Sequence, residues 1–298
     1  MITRKLPFPK KKRAGVGRGP HRTPGGAIFF REQGDRDADA LDYCRRARIS
    51  GAQDIAAIVS FYRQALPLFA GGFVCWPLRS RQNTPDGDTY ESLGRLGPSR
   101  SPVAVAINTI VTRDANGLTT AGLGSSFVGR LQAASTTSMN AANAIVWCGS
   151  THETADPAAV AERSLFRLGN NLDGTHRFMF LANSSTNAVT ISVSRSTNST
   201  ASSQTITQGL DTFHFIGAHL GGSSNSHFLN DGAATTNGSL GSRTGGSQSV
   251  FIGNWAGYET TQQGKTALAL MGNATDVQKL RALYTVYKST LGQGLGLP

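Results

Sequence analysis

From about Gly71 to its end, the chain consists of short apolar or alternating runs separated by turn residues. Asn-Gly at 116–117 and Asp-Gly at 173–174 and 231–232 are turn pairs typical of β-hairpins. Many short strands with such breaks predict a mainly β, antiparallel sandwich of the jelly-roll kind, and no strand–helix alternation indicates a parallel sheet. The predicted strands are 73–78, 103–107, 144–148, 178–181, 188–193, 205–206, 213–218, 227–229 and 250–252.

Two helices are predicted before this region. Residues 37–48 place their acidic side chains early and their basic ones late, which complements the helix dipole. Ser50 is the predicted N-cap of the second helix, with Gln53 completing a capping box, and Pro67 stops it. An apolar stripe at helical spacing follows the cap and consists of Ile55, Ile58, Val59, Tyr62 and Leu66.

A third helix is predicted at the C-terminus. Thr275 is its predicted N-cap, Gln278 completes a capping box, and Gly292 is placed as a C-cap. Its predicted apolar face contains Val277, Leu280, Leu283, Tyr284 and Tyr287. This face predicts that the helix is part of the core.

The N-terminal segment, residues 1–34, is predicted to be an extended anchoring arm. The first 31 residues contain no acidic side chain, and their Pro and Gly residues disfavour helix and strand. Such a segment cannot bury enough apolar area to fold alone, so it orders only against a partner. Its anchoring side chains are predicted to be Arg4, Lys5, Lys10, Lys11, Lys12, Arg13, Arg18 and Arg22.

The basic charge belongs to the first third of the chain. Residues 1–100 hold 18 Lys and Arg against 9 Asp and Glu, whereas residues 101–298 hold 11 against 9. Insertion of the arm into a neighbouring subunit is the favoured interpretation, and a mobile tail is an alternative. Contact with DNA phosphates is a further alternative, but it is not favoured because no base-reading motif accompanies the charge.

Several function classes lack their sequence signatures. Cys44, Cys75 and Cys148 have no metal-ligand spacing and are predicted to be buried thiols. His214 and His219 lie five residues apart on a predicted strand and therefore on opposite faces, so they cannot share a metal. His214 is expected to pack or hydrogen-bond at the core edge. No signal peptide or membrane span is recognised, and no metal or other cofactor is predicted.

The order of several segments resembles the structural proteins of tailed phages that carry a concanavalin A-like, laminin-G-like jelly roll. The matching stretches are NAIVWCGS at 143–150, FRLGNN at 166–171, RFMFLAN at 177–183, TFHFIGAHLGGSSNSHFLNDG at 212–232, VFIGNWAG at 250–257 and the final residues 272–298. FVCWPLRSRQNTPDGDTYESLGRLG at 73–97 is similar to the segment that precedes the jelly roll in such proteins. The resemblance covers residues 37–298. After the arm at 1–34, it implies a helical section and linker at 35–100 and the jelly roll at 101–298.

The resemblance also implies a function. We expect a virion structural protein, assembled in the host cytoplasm, that is tail-associated or a capsid decoration and contacts other virion proteins, including copies of itself. The hydrolytic branch of this superfamily has acidic residues at alternating strand positions, and Glu153 and Asp156 do not match that spacing. No catalytic residue is therefore predicted, and we expect a protein that is not an enzyme. A polysaccharide depolymerase is the least favoured alternative.

The main alternative is a glycan-binding tail adhesin for host attachment. Asn254, Trp255 and Tyr258 combine aromatic rings with an amide in a Gly-bounded stretch, which is the chemistry of sugar stacking. The competing interpretation is that Trp255 fills the sandwich edge or a protein interface. Host surface carbohydrate is the ligand that the adhesin interpretation implies.

Overall fold

The computed structural model describes residues 37–84, 89–96, 99–100, 104–107, 111–120, 130–134, 142–152, 163–169, 175–185, 188–197, 205–208, 212–220, 225–237, 249–253 and 263–298. The predicted arm at 1–34 lies outside these residues, so it stays a prediction.

The described chain contains three α-helices. Helix α1 comprises residues 37–46, α2 comprises Ala52–Ala65, and α3 comprises Val277–Ser289. A short 3₁₀ helix, Leu66–Leu68, follows α2. The strands are β1 Phe69–Pro77, β2 Thr89–Tyr90, β3 Leu93–Leu96, β4 Ser99–Arg100, β5 Ala104–Ile107, β6 Val111–Arg113, β7 Leu118–Thr120, β8 Arg130–Ala134, β9 Ala144–His152, β10 Arg163–Gly169, β11 Thr175–Ser185, β12 Ala188–Thr197, β13 Thr205–Gln208, β14 His214–Leu220, β15 Asn225–Leu229, β16 Thr235–Asn237, β17 Ser249–Gly253 and β18 Gln263–Ala274.

The described strands form two antiparallel sheets. The ten-stranded sheet has the order β16-β15-β14-β9-β18-β1-β3-β4, with β7 pairing with β18 and β6 pairing with β7. The eight-stranded sheet has the order β13-β12-β11-β10-β17-β8-β5-β2. The prediction of a mainly β, antiparallel sandwich with N-terminal and C-terminal helices is therefore confirmed.

The ten-stranded sheet is buried on both faces, so the fold has three layers. Val74 and Trp76 of β1 belong to the core between the two sheets. Phe73 and Cys75, which alternate with them, belong to a second core that the three helices share. Helices therefore cover the face of the ten-stranded sheet that is opposite to the eight-stranded sheet; we call them the helical layer.

Aromatic rings join the helical layer to the sheet. Phe61 of α2 lies edge-on to Phe73 of β1 and to Tyr287 of α3, with ring centroids 6.1 and 6.2 Å apart. Phe215 of β14 lies 5.5 Å from Tyr287. The N-terminal and C-terminal helices therefore share one core. Strand β1, which lies within residues 35–100, is hydrogen-bonded to β18, while the division into 35–100 and 101–298 stays a prediction.

Two helix N-caps lie one residue after their predicted positions. The N-cap of α2 is Gly51 rather than Ser50, and no side chain accepts a hydrogen bond there. The N-cap of α3 is Asp276 rather than Thr275, because its carboxylate accepts the Lys279 backbone N–H at 3.0 Å. A charged acceptor at this position satisfies a free N–H group and also favours the positive end of the helix dipole.

The predicted ends of two helices also move slightly. The first helix stops at residue 46, and Arg48 takes a left-handed φ of 56° beyond it. The C-cap of α3 is Thr290 rather than Gly292. Gly292 still closes the last turn, since its N–H donates to the Tyr287 carbonyl at 2.7 Å.

The predicted apolar face of α3 packs as expected, whereas on α2 the predicted stripe is buried only in part, with Ile55, Val59 and Leu66 partly buried. On α3 the residues Leu280, Leu283, Tyr284 and Tyr287 are buried, and Val277 is partly buried against the same core. On α2 the residues Ile58 and Tyr62 are buried.

Replacing Leu280 with Ala is expected to lower the free energy of unfolding by about 2–4 kcal/mol, because the side chain is fully buried and its removal leaves a cavity. Urea denaturation measures the change. Thr285→Ala, at an exposed position of the same helix, is the control and should change stability by less than about 0.5 kcal/mol. An equally small loss for Leu280→Ala would show that α3 is a surface appendage.

Candidate functional site at the loop end of the sandwich

Several strand ends meet at one end of the sandwich. Gln263, the first residue of β18, pairs with His152, the last residue of β9. The next residue of β18 pairs with Thr120, the last residue of β7. In the other sheet, Gly253 at the end of β17 pairs with Arg130 at the start of β8. We call this the loop end.

Connections between the two sheets concentrate at the loop end. Residues 121–129 join β7 to β8, residues 153–162 join β9 to β10, and residues 254–262 join β17 to β18. A fourth connection, residues 209–213, joins β13 to β14, and a fifth, residues 108–110, joins β5 to β6 between positions opposite Arg130 and Thr120. Each of the five passes from one sheet to the other, so segments with diverse side chains start from fixed strand ends at one place.

The predicted glycan-binding residues Asn254, Trp255 and Tyr258 belong to the connection 254–262. These residues lie outside the described part of the chain, so their role stays a prediction. The described strands fix where the connection starts and finishes: Gly253 lies opposite Arg130, and Gln263 lies opposite His152. Arg163 begins β10 at the same end, three residues before Phe166, which pairs with Ile252.

A turn of the ten-stranded sheet is held by Asn230 near the loop end. Its side-chain oxygen accepts the Phe215 backbone N–H at 2.8 Å, and its amide donates to His214 Nδ1 at 3.2 Å. The backbone of Asn230 adopts a left-handed φ of 53°, which Asn tolerates better than most residues. The prediction that His214 hydrogen-bonds at the core edge is confirmed, since its side chain is buried in this contact.

The sandwich beneath the loop end is closed by packing and by one ion pair. The Trp147 indole N–H donates to the Thr266 hydroxyl at 3.1 Å, and Trp147 itself is fully buried. Nearby, Lys265 pairs with the Asp114 carboxylate. Partial burial acts to raise the pKa of Asp114, but the hydrogen bonds from Lys265 and from the Asn116 N–H outweigh it and lower that pKa. The ion pair therefore ties the turn between β6 and β7 to the start of β18.

The sequence analysis did not identify the buried polar pair on β15. Asn225 and His227 lie on one face of this strand and are buried, and their partners on β14 are Leu220 and Ala218 of the inter-sheet core. Burial lowers the pKa of His227 to about 4. No sequence signal marked these residues, because a strand of mixed polar residues with one Phe is equally compatible with an exposed edge.

The other histidine of the predicted strand has a separate role. Nε2 of His219 lies 3.1 Å from the Ala274 carbonyl oxygen and donates its hydrogen to it. Among the residues that the structure describes, no three His, Cys, Asp or Glu side chains come together in a way that could hold a metal ion. The three cysteines are buried free thiols, as predicted.

Because of the buried His227, we expect the free energy of unfolding to decrease as the pH falls. Its pKa is about 4 when folded, against 6.5 for an unperturbed histidine, so the unfolded chain takes up a proton first as the pH falls. The stability due to neutral His227 is complete above about pH 6.5 and decreases towards pH 4, by about 3 kcal/mol in total. Urea denaturation at pH 7.5 and pH 4.5 measures this loss.

His227→Gln removes the titrating group, and His219→Gln is the control at a half-exposed position of the neighbouring strand. The loss between the two pH values should shrink in the first variant and persist in the second. An unchanged loss in His227→Gln would assign the acid sensitivity to other groups.

Comparison with known proteins gives the fold class. No family model matches the chain, and no curated protein matches it significantly. Among solved structures it is similar to Trypanosoma rangeli sialidase bound to 2,3-difluorosialic acid, with a TM-score of 0.52 and 13% identity over 80% of this chain and 39% of that chain. It is also similar to the binding domain of botulinum neurotoxin DC in complex with SialylT, with a TM-score of 0.45 and 10% identity over 70% of this chain and 50% of that chain.

A third similar structure is that of botulinum neurotoxin type C, described as dependent on two ganglioside molecules for cell entry. Its TM-score is 0.47 and its identity 10%, over 72% of this chain and 51% of that chain. The chain thus spans about half or less of each of these structures. At 13% identity the likeness to the sialidase shows the fold alone.

The expectation that the protein is not an enzyme, which rested on the missing acidic strand pattern, was wrong. A sialidase chain shares the fold over 80% of this chain, so the fold does not exclude an enzyme. Among the described residues, no helix is both long and apolar enough to cross a membrane.

Proposed function

We propose that this protein is a virion component of a tailed phage that binds host surface carbohydrate at the loop end of a concanavalin A-like, laminin-G-like sandwich. The observation that carries the proposal is the position of the connection 254–262. It starts and finishes at fixed strand ends beside four other connections between the sheets, and it contains Asn254, Trp255 and Tyr258. Indole and phenol rings stack on sugar rings, while amides bond to sugar hydroxyls.

The sequence around the loop end contains residue types with both kinds of hydrogen-bonding group that a sugar needs. Arg130, His152 and Arg163 occupy strand positions at this end and belong to donor-bearing residue types. The connections between the sheets add carboxylates as acceptors, which are Glu153, Asp156, Glu162 and Glu259. A hydroxyl-rich ligand both donates and accepts, so it suits such a mixture better than an apolar ligand does.

Polysaccharide hydrolysis is the second candidate function. Two carboxyl groups roughly 5–9.5 Å apart are the chemical requirement for a glycosidase, and the connections 153–162 and 254–262 both contain carboxylates and begin at the loop end. The sandwich is shared with a sialidase chain. Release of reducing sugar from a polysaccharide that the protein binds would favour this candidate, and Glu153→Gln and Glu259→Gln would then test the two connections.

The helical layer provides the attachment side in this proposal. The described chain starts with α1, so the basic residues 1–34 precede the layer that covers the outer face of the ten-stranded sheet. An arm that leaves from this layer is free to insert into a neighbouring virion protein on the tail or the capsid. Its predicted partners are other virion proteins and copies of this chain.

Trp255→Ala is expected to abolish carbohydrate binding while leaving the free energy of unfolding nearly unchanged, because an indole that stacks on a ligand is not a packing residue. A host-glycan array and urea denaturation measure the two effects. Thr261→Ala in the same connection is the control and should keep binding. A loss of about 3 kcal/mol or more in stability, with no glycan bound by the wild type, would show instead that Trp255 packs inside the protein.

Deletion of residues 1–26 is expected to prevent incorporation into particles without changing carbohydrate binding, because the basic arm and the loop end are separate parts of the chain. Purified particles analysed by mass spectrometry measure incorporation, and the same glycan array measures binding. Deletion of residues 1–3, which removes no basic side chain, is the control. Normal incorporation of the longer deletion would contradict the anchoring role.

A further inference from the structure

Helix α2 leaves an apolar groove on its outer side. The groove is open, has a volume of about 500 Å³ and is lined by Ile55, Ala56, Val59, Ser60 and Arg63, among others. The opposite side of α2 packs into the core through Ile58, Phe61, Tyr62 and Ala65. Ile55 and Val59 are only partly buried, so this helix presents aliphatic side chains on both of its sides.

The described chain begins at the rim of this groove. The Asp37 carboxylate, at the start of α1, forms an ion pair with the Arg63 guanidinium, and Arg63 lines the groove. The hydrogen bond from Arg63 lowers the pKa of Asp37, so the pair is charged at neutral pH. Residues 1–36 therefore connect to α1 beside an apolar surface that the described residues leave open.

These preceding residues contain a segment that matches the groove chemically. Residues 27–30 have the sequence Ala-Ile-Phe-Phe, which is four consecutive apolar residues in a stretch that is otherwise rich in Arg, Lys, Gly and Pro. Residue 30 is seven positions before Asp37, and seven extended residues span up to about 24 Å. The 14 residues of α2 extend over about 21 Å, so the segment can reach any part of the groove.

The geometry points to residues 27–30 as the occupant of the α2 groove of their own chain. Binding there removes both the aliphatic groove and two phenylalanine rings from water. Burial of apolar surface is the main driving force for such docking. It also fixes where the arm departs: residues 1–26, which hold the anchoring Lys and Arg side chains, extend from the helical layer. This inference goes beyond the proposed carbohydrate site and does not depend on it.

A disulfide test reports the contact in the full-length chain. Phe29→Cys combined with Ser60→Cys places one thiol in the segment and one in the groove. The native cysteines do not compete, because they are buried and burial raises the pKa of Cys44 to about 11 and of Cys148 to about 12. Mild oxidation should link the two engineered cysteines within one chain, as seen by non-reducing electrophoresis and peptide mass spectrometry.

Phe29→Cys combined with Ala282→Cys is the matched control, since Ala282 is exposed on α3 and does not line the groove. This pair should link at least about tenfold more slowly. A link between two chains would place the segment on a second copy, and equal rates for the two pairs would show that it does not bind the groove. Either result overturns the proposal.

A protease test keeps the native Phe side chains in place. Arg31 directly follows the segment, whereas Arg18 lies in the basic part of the arm. Trypsin should cut at Arg31 about tenfold more slowly than at Arg18, which corresponds to about 1.4 kcal/mol of docking. Ala56→Glu, at an exposed position in the groove, should remove the protection, and Ala282→Glu should not. Equal cutting at both sites in the wild type would overturn the proposal.

Discussion

The rest of the structure depends on the burial of β18 at the centre of the ten-stranded sheet. This strand is hydrogen-bonded to β9 on one side and to β1 on the other. Ala267 to Met271 have no exposed surface; Leu268 and Leu270 face the helices, while Ala269 and Met271 face the eight-stranded sheet. Because β1 and β18 are far apart in sequence, their pairing joins the two ends of the chain. Both cores form against this one pair of strands.

A network of hydrogen bonds formed by the residues after β1 joins the terminal helices where the apolar packing ends. The Arg79 guanidinium donates to the carbonyls of Leu291 and Gln293, at 2.7 and 2.8 Å, just beyond the end of α3. The side-chain amide of Gln82 donates to the Leu291 carbonyl at 2.7 Å. The backbone carbonyl of Gln82 accepts a hydrogen bond from the Tyr43 hydroxyl of α1 at 2.6 Å. These bonds satisfy backbone acceptors that the helix end leaves free. The WPLRSRQN stretch at 76–83, which the sequence marked only by resemblance, thus has a physical role in joining the terminal helices.

Sequence reasoning succeeded where local chemistry decides the structure and failed where tertiary burial does. The short strands flanked by turns, such as Val250 to Ile252 in β17, were predictable because one polar residue or turn pair bounds each run. Strand β18 was missed: buried on both faces, it shows no alternation, and its Ala-Leu run lacks the β-branched residues that favour strands. The burial of Asn225 and His227 was also missed, because it results only from the packing of β15 beside β14. The predicted glycan-binding residues rest on side-chain chemistry alone, and only the strand ends on either side of them are fixed by the fold.

The topology separates what must be rigid from what is free to vary. The two cores constrain residues on the strands and on the inner sides of the helices, where a change in volume is costly. The connections at the loop end start from these constrained strands. Loops that start from a rigid scaffold are the parts of a fold in which recognition surfaces usually diversify. The proposed carbohydrate site at the loop end and the proposed arm before the helical layer belong to different parts of the chain, so under this proposal the ligand could change while the attachment is kept.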